Sequence, residues 1–352
     1  MTHIPPLSPR PLRHLSHVRR RVLTAAQLRG QGVTGADANE RCRPGGPWQR
    51  ILPGVFLLHP GPSTAEERVH AALLYAARSN APAPARAVHI PVQPGAEDPH
   101  AAQPYADALI TGLAALALHG FTSAAPLLSL DTIDVLVPRM RRLRSTGCVR
   151  IVRTPSLPAP SFVTGVPVAA VPRALADAVA ELTDAGAVHQ LLTEAVRDGH
   201  CEPASVVKEL TAARLLGRPH VMGAVDSLKA EGRAIAETHL YRMVHEHGLP
   251  DPVWNVDLRL PGGPHLGGLD AYWPEQAVAV ELDIRTPRQD KDAVRSEYAR
   301  KREYLERLGI TVVHITPRKL RAAMEQQAAV VRTALMASND RDPAAHVVVL
   351  PR

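Results

Sequence analysis

A chain of 352 residues with 45% hydrophobic content is long enough for two or three cores rather than one. Its formal charge of +7, from 41 Lys and Arg against 34 Asp and Glu, favours a polyanionic partner, and an aromatic content of 3% argues against a surface that stacks unpaired bases; contact with a duplex backbone is the better expectation. No apolar run reaches the roughly 20 residues of a membrane helix, no signal-peptide core is visible, and Cys42, Cys148 and Cys201 are odd in number without a C-x-x-C pair, so the expectation is a cytoplasmic protein without disulfide frame or zinc ribbon.

Residues 1–20 carry arginines among prolines and no acid, which predicts a basic disordered tail. Thr24 with Gln27 three residues on marks a capping box and a short helix closed by Gly30 and Gly32. Thr34 or Asp37 opens a second helix through Arg41, and after the turn at 44–46 the segment WQRILPGVFLLH reads as a β-hairpin. Helix, turn, helix and hairpin over 21–60 predict a winged helix-turn-helix, with Arg41 and Arg43 toward a major groove and Arg50 near phosphates. On Trp48, Arg50, Gly54, Val55 and Phe56 the segment also resembles the N-terminal domain of AbiEi-type antitoxins. That likeness implies a DNA-binding regulator and a toxin partner.

Residues 61–229 read as a mixed helical and β scaffold with a Pro- and Ala-rich flexible loop at 80–104. Within it IDVLVP and CVRIVR read as paired strands joined by a hairpin loop that concentrates Arg139, Arg141, Arg142 and Arg144. Four arginines in six positions are either a phosphate-contacting patch or a solvated loop. Two amphipathic helices follow, then further helical sequence in which Pro219 suits a first-turn position.

Residues 230–352 carry the chemistry. A helix from Glu231 to His247, a three-stranded meander, a helix from Asp290 to Leu308 and a further strand predict an α/β core. The apolar run Ala277–Val280 suits a buried strand. It ends in Glu281 and Asp283, which share a face at period two, while a hairpin strand around Leu269–Tyr272 brings Asp270 beside them. Converging carboxylates repel unless protons or cations intervene, which points to a divalent-metal site able to activate water against a phosphodiester.

The ordered motifs Glu237 and Leu240, then Gly248, Leu249, Pro250 and Pro252, then Asp270, Trp273 and Pro274, then Val280, Glu281 and Asp283, and last Lys301, Leu305 and Gly309, resemble the PD-(D/E)xK superfamily. The closest likeness is to the group related to very-short-patch-repair endonucleases. It implies a multidomain α+β protein with a C-terminal restriction-endonuclease-like core, Asp270 and Glu281 as ligands of Mg²⁺ or Mn²⁺, and Glu237 as a helix acid close by. Asp283 stands where that superfamily carries lysine, Ile284 replaces a glycine and Tyr298 an aspartate. Lys301 lies on the apolar stripe of its helix, where it either meets the carboxylates or snorkels to solvent. The catalytic set expected is Glu237, Asp270, Glu281, Asp283 and Lys301, in a nuclease that cleaves or nicks double-stranded DNA. The alternative is a regulator of antitoxin type that binds DNA without cutting it.

Overall fold

A computed structural model describes residues 15–77, 105, 107–283, 300–337 and 347–351. The chain is α+β with three sheets and divides into two compact units, Met1–Ala187 and Val188–Arg352. A nuclease-like segment of 230–352 would lie inside the second unit. The expected loop 80–104 and residues 1–14 fall outside the described residues, as do Ile284 and Tyr298. Among the described residues no helix is long and apolar enough to cross a membrane.

The first unit opens with α1 (Leu15–Arg21), β1 (Val22–Thr24), α2 (Ala25–Gly30), α3 (Gly35–Arg41), β2 (Gln49–Leu52) and β3 (Val55–Leu57). Thr24 and Thr34 each close a full capping box, with Gln27 and Asp37 respectively, so both short helices begin where their first free amides find acceptors. The tight turn between β2 and β3 needs the left-handed Gly54. The strands pair antiparallel in the order β1-β3-β2, and Leu23, Leu28, Ala38 and Phe56 fill the space beneath the helices. Two features differ from expectation. Residues 15–20 belong to a helix instead of a tail, because α1 packs on the buried α4 (Ala65–Ala77), and β1 adds a third strand ahead of the first capping box.

The second sheet of this unit runs β6-β5-β4-β8-β7, built from β4 (Leu109–Thr111), β5 (Ile133–Pro138), β6 (Val149–Thr154), β7 (Ser161–Val163) and β8 (Val166–Val168). Helix α5 (Gly112–Leu118) follows β4 and α6 (Val171–Glu181) follows β8, and the chain passes from the first unit into the second within α7 (Ala185–Arg197). Strands β5 and β6 are parallel, which corrects the hairpin expected there. Residues 139–148 therefore return to the starting end of the sheet, as a parallel pair requires. The return is tied down by Tyr75 Oη donating to the Arg144 carbonyl at 2.7 Å, by the Ile151 amide donating to Ser145 Oγ at 3.0 Å, and by Arg153 donating to the Leu143 carbonyl.

The second unit contains α8 (Pro203–Ala212), α9 (Pro219–Glu246), β9 (Val253–Arg259), β10 (His265–Trp273), β11 (Val278–Leu282), the helical residues 300–307 (α10), β12 (Thr311–Ile315), α11 (Pro317–Ala322), α12 (Met324–Ala337) and β13 (Val348–Pro351). Helix α9 is continuous, so the helix start expected at Glu231 and the boundary expected at 229/230 both fall inside it. No breaker interrupts it there; Gly232 instead lets α9 approach Pro203, where an added Cβ would stand 2.6 Å from the ring. The sheet order is β12-β11-β10-β9-β13, with β11 and β12 parallel and the other pairs antiparallel. Alternation along the strands separates two cores. Ala271, Trp273, Val278, Val280 and Leu282 pack with residues of α9, α11 and α12, while Tyr272, Ala279 and Val312 pack with Leu305 of α10. Helix α10 thus covers the face opposite α9.

Candidate functional site

Strands β10 and β11 are in register from Trp273↔Val278 to Ala271↔Val280. One residue further the Asp270 carboxylate enters between them, its Oδ2 accepting from the Leu282 amide at 2.6 Å. Asp270 is 5% exposed, and burial pushes its carboxyl above the ordinary aspartate range. The Leu282 amide and Arg233 oppose that rise, whereas the neighbouring charges of Glu237 and Glu281 add to it. Ionised Asp270 therefore depends on the donors around it.

The cations of the cluster come from both faces of the sheet. Arg233 and Glu237 are one turn apart on α9; the guanidinium spans two carboxylates, with Nε donating to Glu237 Oε1 and Nη2 to Asp270 Oδ1, both at 2.7 Å. From the other side Lys301 Nζ donates to Glu281 Oε1 and to the Gly268 carbonyl, both at 2.9 Å. Gly267 makes room for this lysine. It has φ +112°, beside the bulge in the β9–β10 ladder, and a Cβ there would lie 2.7 Å from Lys301 Cε. The parallel register places His314 opposite Glu281, with Nδ1 3.6 Å from Oε2.

Of the expected set, Glu237, Asp270, Glu281 and Lys301 are brought together, and Lys301 meets the carboxylates instead of leaving for solvent. Asp283 stands two residues past Glu281 at the end of β11, where its amide donates to the Ile315 carbonyl at 2.9 Å. Arg233, His314 and Gly267 belong to the centre although sequence reasoning passed over them. The i, i+4 pairing of Arg233 with Glu237 was the available signal for the first; His314 and Gly267 become visible only through register and the bulge.

The carboxylates as they stand do not fit Mg²⁺ or Mn²⁺. Both oxygens of Asp270 already accept from the chain, Glu281 accepts from Lys301 with His314 Nδ1 3.6 Å from its other oxygen, and Glu237 is held by Arg233. Among the described residues no group of three or more His, Cys, Asp and Glu side chains is disposed to hold a metal ion. A divalent ion could reach Asp270 Oδ1 only by competing with Arg233.

The first unit presents a different surface. The turn at 44–46 folds Trp48 back on the end of α3, its amide donating to the Arg41 carbonyl at 3.1 Å; Gly46 is required there because a Cβ would stand 2.3 Å from that same oxygen. The Arg41 guanidinium then lies 4.5 Å from the centroid of the Trp48 ring. Asn39, Arg43 and Arg50 line an open cavity of about 760 Å³ beside it. Arg41, Arg43 and Arg50 are all exposed, Arg43 sharing its charge with Glu40 at 2.7 Å. In the β5–β6 connection Arg139, Arg142 and Arg144 are also exposed, whereas Arg141 is half-buried and donates to the Ala76 carbonyl at 2.6 Å. Comparison of the chain with known families and with curated proteins gives no match.

Proposed function

We propose that this protein is a regulator that binds double-stranded DNA through its first unit, with α2, α3 and the β2–β3 hairpin acting as a winged helix-turn-helix. The observation that carries the reading is the concave surface lined by Asn39, Arg43 and Arg50, with Arg41 stacked on Trp48 at its edge. A guanidinium held over a ring, as Arg41 is over Trp48, loses less freedom on meeting a phosphate than a free side chain does, and Arg43 and Arg50 add exposed cations on the concave face beside it. Arg139, Arg142 and Arg144 offer a further cationic patch for the same kind of ligand. On this reading the second unit keeps a PD-(D/E)xK-like sheet whose acids are neutralised from within by Arg233 and Lys301, and a toxin partner remains part of the antitoxin-like proposal.

The test is retention of duplex DNA from the region upstream of the protein's own gene in a low-salt mobility-shift assay. Arg41→Ala combined with Arg50→Ala should abolish retention while leaving the thermal unfolding midpoint within a few degrees. Absence of retention by the unaltered protein on every duplex tried at low salt removes the reading.

A second reading is favoured by one specific contact. Lys301 Nζ lies on Glu281 with Asp270 on the adjoining strand, a carboxylate and ammonium grouping of the kind a metal-dependent nuclease uses to hydrolyse or nick DNA. Cleavage of supercoiled or linear duplex in Mg²⁺ or Mn²⁺, abolished by Asp270→Ala, would establish it and displace the purely regulatory proposal.

A further inference from the structure

Glu237, Asp270 and Glu281 act on one another electrostatically across two layers of the second unit, and carboxylate oxygens are hard donors of the kind that suit a divalent cation. Here they gather round cations that belong to the chain. The Arg233 fork bridges Glu237 on the helix and Asp270 on the strand at 2.7 Å each, and Lys301 neutralises Glu281 from the opposite face at 2.9 Å. We infer that Arg233 is a resident counter-ion occupying the place between Glu237 and Asp270 that a divalent cation would take, so that the centre excludes such ions as long as Arg233 is present.

A bidentate guanidinium keeps its charge at any pH the protein survives and matches two carboxylates at fixed angles, which an ammonium cannot do. Asp270 is 5% exposed and spends its other oxygen on the Leu282 amide, so an incoming ion would find only Oδ1, already engaged. Turning Arg233 away to admit the ion would leave that cation close to the new one, where like charges repel with little water between them. One helix turn therefore supplies both an acid of the cluster and the cation that closes it.

This inference concerns only the second unit and does not depend on DNA retention by Arg41 and Arg50. The experiment titrates full-length protein with Mn²⁺ alone and follows free ion by electron paramagnetic resonance, comparing the unaltered chain with Asp270→Asn, Arg233→Gln and the double variant. The unaltered chain and Asp270→Asn should bind Mn²⁺ equally weakly. Arg233→Gln should gain a site at least about tenfold tighter, and the double variant should lose it again. A Mn²⁺ site in the unaltered chain that Asp270→Asn removes overturns the inference and also strengthens the nuclease reading. Failure of a folded Arg233→Gln to gain affinity overturns it as well. Should Arg233→Gln not fold by circular dichroism, the pair formed by the unaltered chain and Asp270→Asn decides alone, because an Asp270-dependent site contradicts a place already filled and its absence supports one. Loss of DNA retention in any arm bears on the first unit and leaves this result untouched.

Discussion

Gly267 governs whether Lys301 can reach its partners. Its φ of +112° is unfavourable for any residue with a Cβ, and such an atom would stand 2.7 Å from Lys301 Cε. Strain of this kind costs about 1–3 kcal/mol, and the end of a lysine gives way more readily than a strand does, so Gly267→Ala should lower stability by that amount and draw Lys301 off Glu281. Urea unfolding of Gly267→Ala, Lys301→Met and the double variant should show coupling of at least about 0.5 kcal/mol; simple additivity would mean that the glycine does not act through the lysine. A second residue-scale effect belongs to His70, 3% exposed, with Nδ1 2.9 Å from the Tyr105 hydroxyl. Burial, helped by the Arg19 charge, lowers its pKa from 6.5 to about 4. The unfolded chain therefore binds the extra proton first, and stability falls as pH falls from 6.5 toward 4, by roughly 3 kcal/mol in full. His70→Gln should remove that component, so the stability difference from the unaltered chain should shrink across this window; a pH-independent difference would contradict the assignment. Neither effect was legible in the residue order. Asp270, Glu281 and Lys301 could be picked out because strand alternation and helix spacing are local, whereas Gly267 and His70 matter through what the folded chain brings against them.

Helix α9 shows how an element can reverse an ordinary substitution rule. Gly→Ala in a helix interior usually stabilises by up to about 1 kcal/mol. At Gly232 the new methyl would lie 2.6 Å from Pro203 Cγ, on a ring that cannot swing aside, and overpacking costs about 1–3 kcal/mol. The clash wins, so Gly232→Ala should lower the unfolding free energy; a rise would show that α8 yields. The contact with Pro203, 29 positions earlier, is invisible in the local sequence, which reads as helical both up to Lys229 and from Glu231 onward. Elements announced by local chemistry, such as the capping box at Thr24, the hairpin after Trp48 and the buried run into Glu281, were readable, whereas the second helix start stayed open between Thr34 and Asp37. Strands β1 and β13, of three and four residues, carry too little alternation to declare themselves. The β5–β6 connection resembles a turn in composition, and only the long-range bonds from Tyr75 and to Ala76 reveal that it runs back along the sheet.

At the scale of the whole molecule the two units divide the charge differently. In the second unit the central acids are already matched by Arg233 and Lys301, whereas the first unit leaves Arg41 and Arg50 exposed beside its cavity. Cations committed to internal carboxylates release no counterions when DNA binds, so the proposed affinity should come from the exposed set. Arg41→Ala and Arg50→Ala should each reduce the slope of log K against log salt by about 1, and weaken binding to different duplexes to a similar degree where the contact is to phosphate. Arg50, on the hairpin, fits that uniform loss. Arg41, at the end of α3, should add a sequence-dependent part if α3 enters a major groove, because base edges differ where phosphates do not. Asp270→Asn should leave the slope unchanged. Fluorescence-anisotropy titrations of two unrelated duplexes over a range of NaCl concentrations measure all of these quantities together. A slope insensitive to Arg41 and Arg50 but altered by Asp270→Asn would move the DNA-binding surface to the second unit and with it the interpretation of the whole chain.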